Sequence, residues 1–247
     1  MDRCQIIDEK IQEGYKLIYQ DDKRAEGCDI WLSAWEEIKE LFYADFAKDI
    51  MDLSKKYKWT RRNEWFDPLI DFIKSLRMEL YNAGNLIDPS YHCKRISFCQ
   101  ELLRWCGDDD EFIIEMRCDL AEAHYMSGDI AAGEKLFAEL IHDEPNYEEA
   151  YVSWFDCCMS AHDVPRYEKA EEIILSAYEN YSIRYYQGIL DRIIDLYKKL
   201  DKPDKVREFT DVLIEIDEYE KRQRRMFLES LDEMDFSCIE SKKNKED

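Results

Sequence analysis

The chain has 247 residues, 45% of them apolar and 13% aromatic, with only seven glycines and five prolines. That supply fills a core but lacks the turn chemistry of a many-stranded fold, so helices are expected. Acids outnumber bases 57 to 35, for a formal net charge of −22, and such a surface repels phosphate backbones, which argues against nucleic acid and anionic membrane as primary ligands.

The first residues, Met1-Asp2-Arg3-Cys4-Gln5, run into charged residues rather than an apolar stretch. Neither a secretory signal nor a run approaching the roughly 20 apolar residues of a spanning helix is present, so a cytoplasmic protein is expected. The nine cysteines are odd in number, form no Cys-x-x-Cys and sit largely at apolar helical phases, which predicts reduced core thiols rather than a disulfide framework.

Helical periodicity begins clearly at Ala25. Between there and Tyr43, Cys28, Trp31, Leu32, Trp35, Ile38 and Phe42 recur at steps of three and four, with Glu36, Glu37, Lys39 and Glu40 on the polar side. From Asn63 to Asn82, Trp65, Phe66, Leu69, Ile70, Phe72, Ile73, Leu76 and Leu80 form a stripe wide enough for an interior helix. Gly84 is expected to end that helix in a left-handed C-cap, and Asp88-Pro89 to open the next. Asn146-Tyr147-Glu148-Glu149 reads as a capping box, and Asp163-Val164-Pro165 and Asp201-Lys202-Pro203 as further helix starts. About twelve helices of roughly 12 to 20 residues result, joined by short turns.

From about Ile114 to Leu213 the chain also repeats. Arg117, Leu120, Ala121 and His124 are followed 34 residues later by Tyr151, Trp154, Phe155 and Cys158. Gly128-Asp129 reads as the turn inside the first unit, Gly133 as the small position where its helices touch, Phe137 and Leu140 as its second buried face, and Pro145 as the turn onward. Ala170 takes the small position in the next unit, and Tyr197, Val206 and Leu213 mark a third, poorer one.

These residues resemble degenerate tetratricopeptide repeats. The segments MELYNAGNLIDPSYHCKRISFCQELL (Met78 to Leu103) and SGDIAAGEKLFAELIHDEPNYEEAYVSWFDC (Ser127 to Cys157) are similar to a group of bacterial helical proteins, many of which end in a cysteine-rich SEC-C zinc motif. The resemblance spans roughly residues 25–215 and rests on packing and capping residues. It implies an all-α right-handed superhelix, a helical repeat solenoid: residues 1–110 would cap the array, 111–235 would hold the repeats and a C-terminal helix, and 236–247 would form a disordered tail. The zinc motif would require a Cys-x-Cys and Cys-Cys cluster, and only Cys238 stands there, so that metal function does not carry over.

No Gly-x-Ser-x-Gly elbow and no Gly-rich phosphate loop appears, and no cofactor is expected. The best local metal pair, Cys158 with His162 beside Cys157, offers two ligands on one helical face where structural zinc takes four; Cys158 reads as a packing residue, as does His124 one unit earlier. His92-Cys93 point about 100° apart on a helix. Lys221-Arg222-Gln223-Arg224-Arg225 reads as a solvated face balancing Asp217, Glu218 and Glu220.

A tetratricopeptide array lines its concave face with positions 2, 5, 9, 12 and 13 of each first helix. Here these include Glu115, Cys118, Glu122 and Tyr125, then Glu149, Val152, Asp156 and Met159, an acidic face with soft apolar spots. Family members that clamp a C-terminal carboxylate use Lys, Asn and Arg at positions 2, 5, 6 and 9, whereas this chain has Glu115, Cys118, Asp119 and Glu122. The expected function is therefore a non-catalytic scaffold binding a basic or amphipathic protein or peptide. Three alternatives stay open: an acidic surface serving only solubility, a metal-dependent hydrolase with a site assembled from distant Asp, Glu, His and Cys, and self-association through Trp-rich surface.

Overall fold

The computed structural model describes residues 3–56, 68–107, 110–160 and 164–232. Among them every regular element is an α-helix, eleven in all. The chain divides into two compact units, Met1–Arg166 and Tyr167–Asp247.

In the first unit, α1 (Arg3–Tyr19) packs along α2 (Arg24–Ala44), which also meets α4 (Pro68–Leu86). The stripe read in residues 25–43 is the buried face of α2: Cys28, Trp31, Trp35, Ile38 and Phe42 are all in the core. Trp31 lies so close to α1 that a Cβ on Gly14 would fall 2.1 Å from its ring nitrogen, and that nitrogen donates to the Ile11 carbonyl at 2.9 Å. A buried indole N–H needs such a partner. The short α3 (Ile50–Lys56) is anchored by the Ile50 amide, which donates to the Trp105 carbonyl at 2.8 Å, while Trp105 stacks on Phe42 with ring centres 4.1 Å apart.

The interior helix expected at 63–82 is α4, whose buried stripe includes Leu69, Phe72, Ile73, Leu76 and Leu80; Trp65 and Phe66 lie outside the described residues. Gly84 corrects the sequence reading. It does not end α4, which continues to Leu86, and its φ is not positive. A Cβ there would stand 2.5 to 2.7 Å from the His92 ring on α5 (Ser90–Leu103), so the glycine admits a close helix crossing rather than a left-handed turn. Asp88 does open α5: its carboxylate accepts from the Ser90 amide at 2.9 Å and the Ser90 hydroxyl at 2.7 Å.

Helix α5 packs on α6 (Asp110–Met126), and α6 packs on both α7 (Ile130–Asp143) and α8 (Glu148–Ser160). Gly128, at φ +96°, makes the turn from α6 to α7, and Asp129 caps α7 by accepting from the Ala132 amide. At Gly133 a Cβ would meet the Tyr125 amide nitrogen at 2.8 Å and the Ala121 carbonyl at 2.9 Å, so this is the point where the two backbones touch. The residues related by 34 positions therefore lie on α6 and α8, two helices in contact.

The second unit holds α9 (Tyr167–Glu179), α10 (Gln187–Lys199) and α11 (Pro203–Asp232), with α10 against both neighbours. Ala170 and Tyr197 are buried and Val206 and Leu213 half-buried. Pro203 opens α11 as read from the sequence, after Asp201 at φ +53°. The third anticipated start, at Asp163, and the 236–247 tail lie outside the described residues. No helix among the described residues is long and apolar enough to cross a membrane.

Candidate functional site

The charged residues that converge most closely come from α4, α5 and α6. Glu115, Asp119 and Glu122 stand at steps of four and three, which puts them on one side of α6. That side meets two arginines. Arg95 on α5 donates through Nη1 to Glu122 Oε2 at 2.5 Å and through Nη2 to Asp119 Oδ1 at 2.8 Å. Arg77 on α4 donates to Glu115 Oε2 at 2.6 Å and lies 3.4 Å from Asp119 Oδ2. Asp119 thus bridges the two cations. The Arg95 side chain is only 4% exposed, and its guanidinium also lies over the Tyr81 ring, 5.0 Å from the centroid.

Burial opposes the charge on Arg95, but Asp119 and Glu122 outweigh it and hold the guanidinium more basic than usual. Glu122 is pushed upward: burial is the largest cause, Asp119 and Asp156 add to it, and Arg95 works against it. The thiols nearby are also raised, Cys99 to about 12, again chiefly by burial, so they remain protonated and unreactive at neutral pH.

Beside this network lies a cavity of about 230 Å³, lined by Arg77, Met78, Tyr81, Arg95, Glu115, Cys118, Asp119, Glu122, Tyr147, Glu149 and Ser153. Four acids against two arginines leave its wall with two net negative charges, and neither Asp119 Oδ2 nor Arg95 Nε has a hydrogen-bond partner among the described residues. A larger cleft of about 510 Å³ runs along α1 beside Asp8, Gln12, Tyr15 and Tyr19, but it gathers no such set of opposed charges.

Of the eight residues assigned to the concave face, Glu115, Cys118, Glu122 and Glu149 line this cavity. Tyr125 and Val152 are buried, and the Tyr125 hydroxyl donates to Cys158 Sγ at 3.4 Å and accepts from Arg166 at 2.8 Å. Asp156 and Met159 are half-buried on α8. Arg77 and Arg95 are the residues that sequence reading missed. One signal was available: Arg95 falls on the stripe Tyr91, Arg95, Phe98 and Leu102, all buried on α5, and a cation in such a stripe demands a paired carboxylate.

Of the Cys158 and His162 pair, Cys158 is buried and His162 lies outside the described residues, as does Cys238. Among the described residues no group of three or more His, Cys, Asp or Glu side chains is placed to hold a metal ion. A second cluster forms between α9 and α10, where Arg184 lies 4.7, 5.0 and 5.3 Å from the ring centres of Tyr178, Tyr181 and Tyr185. Comparison with protein-family models, with curated proteins and with solved structures found no match to this chain.

Proposed function

We propose that this chain is a non-catalytic helical scaffold of the tetratricopeptide kind, and that it binds a protein or peptide by drawing a basic side chain into the cavity between α4, α6 and α8. The observation that carries this reading is the composition of the cavity wall, four carboxylates to two guanidiniums. A Lys or Arg side chain entering there would complement the surplus charge in a partly water-excluded setting, where an ion pair is worth more than on an open surface. The pairing of α6 with α7 and of α6 with α8, and the close approach at Gly133, support the repeat architecture. The net charge of −22 supports basic partners over nucleic acid.

Glu149 is the exposed acid of the cavity wall and is carried by α8 rather than by the α6 face of the network, so it is the charge to reverse. Immobilised lysine-rich amphipathic peptides should retain the wild-type protein at low salt, and acidic peptides of the same length should not. Glu149→Lys should lose that retention with an unchanged helical circular dichroism spectrum. Equal retention of the variant, or no discrimination between basic and acidic peptides, would refute the cavity as the binding site.

A further inference from the structure

The turn between α9 and α10 presents aromatic rings to solvent. Tyr181 and Tyr185 are 84 and 57% exposed, together roughly 300 Å² of mostly aromatic surface. Patches of that size on a monomer are often functional. Hydrogen bonds fix the turn. The Asn180 carbonyl accepts from the amides of Ile183 and Arg184 at 3.2 and 2.9 Å, the Asn180 side chain accepts from the Ser182 amide at 3.0 Å, and the Tyr186 amide donates to the Ile183 carbonyl at 2.8 Å. Ile183 itself is buried. Rings on so constrained a backbone lose little entropy when a partner covers them.

Arg184 stands among these rings, its guanidinium 4.7, 5.0 and 5.3 Å from the centres of Tyr178, Tyr181 and Tyr185. Among the described residues it pairs with no carboxylate; the side chain that it hydrogen-bonds is Tyr178, and its Nε has no hydrogen-bond partner. That is an unusual position for a cation in a chain with 57 acids to 35 bases. Tyr178 is anchored by Phe209, 5.2 Å away, so a fixed ring positions a fork of five N–H donors. Tyr181 and Tyr185 both lie against that fork, which puts their ring centres within about 10 Å of each other, and one turn of a polyproline II helix advances about 9 Å. Residues three apart on such a helix can therefore reach both rings.

We propose that this turn binds a proline-rich segment of a partner protein, with two prolines three residues apart on Tyr181 and Tyr185 and one Asp or Glu side chain on Arg184. Proline-rich segments are already extended before they bind and dock on aromatic surfaces. A carboxylate matches the planar guanidinium fork. Because the chain as a whole is acidic, diffuse attraction does not hold a carboxylate here, and a preference for one reports the local cation. The contact is smaller than the roughly 800 Å² per partner of a standard interface, so the binding is weak and is read at high concentration. It does not depend on what the cavity binds.

The test is fluorescence anisotropy of a labelled proline-rich peptide with blocked termini and a single central Glu, titrated with the full chain up to about 1 mM. The expected result is saturable binding, about tenfold tighter than for the same peptide with Gln or Lys in place of the Glu. Tyr181→Ala should weaken binding about tenfold and Tyr181→Phe should leave it unchanged, both with wild-type thermal unfolding because so exposed a ring contributes little to the fold. Arg184→Gln should erase the preference for Glu over Gln and keep the weaker binding to the rings. No binding, equal affinity for the Glu, Gln and Lys peptides, a Tyr181→Ala protein that binds like wild type, or equal binding of an acidic peptide without proline would overturn the proposal.

Discussion

Replacing Arg95 with methionine keeps the aliphatic volume between α5 and α6 but strips Glu122 of its cation and leaves Asp119 with Arg77 alone. Glu122 and Asp119 are each 15% exposed at the side chain, so water recovers little of the loss. Removing one member of a buried pair costs about 3–5 kcal/mol, because the remaining charge is left in a poor solvent. In a chain of this size that corresponds to a melting temperature lower by about 6–20 °C, at roughly 2–4 °C per kcal/mol. The sign reverses in the double variant Arg95→Met/Glu122→Met: the charge that needed Arg95 most is gone, and part of the lost stability returns. Urea denaturation followed by circular dichroism at pH 7 reads all three proteins. The unpaired carboxylates should also give Arg95→Met a smaller stability deficit at pH 5 than at pH 7, since their protonation relieves it. An Arg95→Met protein within about 1 kcal/mol of wild type, or a double variant no more stable than the single one, would show that the network does not bear on the fold.

Two further outcomes follow from close packing and burial. His92 is 2% exposed, its Nδ1 has no hydrogen-bond partner among the described residues, and burial followed by the Arg95 charge lowers its pKa to about 4. The unfolded chain binds a proton on this ring below about 6.5 and the folded chain does not until about 4, so stability falls with pH through that window, by about 3 kcal/mol in total. Wild type and His92→Gln should therefore have stability curves that converge as pH drops from 6.5 to 4, and parallel curves would contradict the burial of a neutral imidazole. Gly133→Ala should destabilise by about 1–3 kcal/mol, against the usual gain of roughly 0.5–1 kcal/mol for Gly→Ala in a helix interior, because the new methyl meets the α6 backbone at 2.8–2.9 Å. A more stable alanine variant would mean that α6 and α7 can part without penalty.

Much of the fold was legible because its signals are local. The Trp31, Trp35 and Ile38 stripe needs only the helical period, Asp129 and Pro203 mark helix starts through their own backbone chemistry, and Gly133 stands where α7 touches the α6 backbone, five residues past the Gly128 turn. Gly84 was misread for a related reason. A glycine near a turn signal fits a C-cap, and only the His92 ring, eight residues on and across a helix crossing, explains why α4 runs through it. The site was less legible still. Arg77 and Glu115 are 38 residues apart, and Arg95 is 24 and 27 residues from Asp119 and Glu122; no local period connects them.

That long-range pairing changes what the acidic composition means. A charge of −22 suggests an open acidic groove, yet Glu115, Asp119 and Glu122 turn toward Arg77 and Arg95 and are largely spoken for within the chain. Glu149 is the exposed acid of the cavity wall, so a partner would meet it through a small cavity rather than along a wide face. Discrimination then depends less on the partner's total charge than on whether it offers one basic side chain long enough to enter. Lysine and arginine peptides of equal net charge should therefore separate in affinity, whereas a diffuse acidic surface would bind them alike: the two side chains differ in length, shape and hydration, and a small cavity reads those differences.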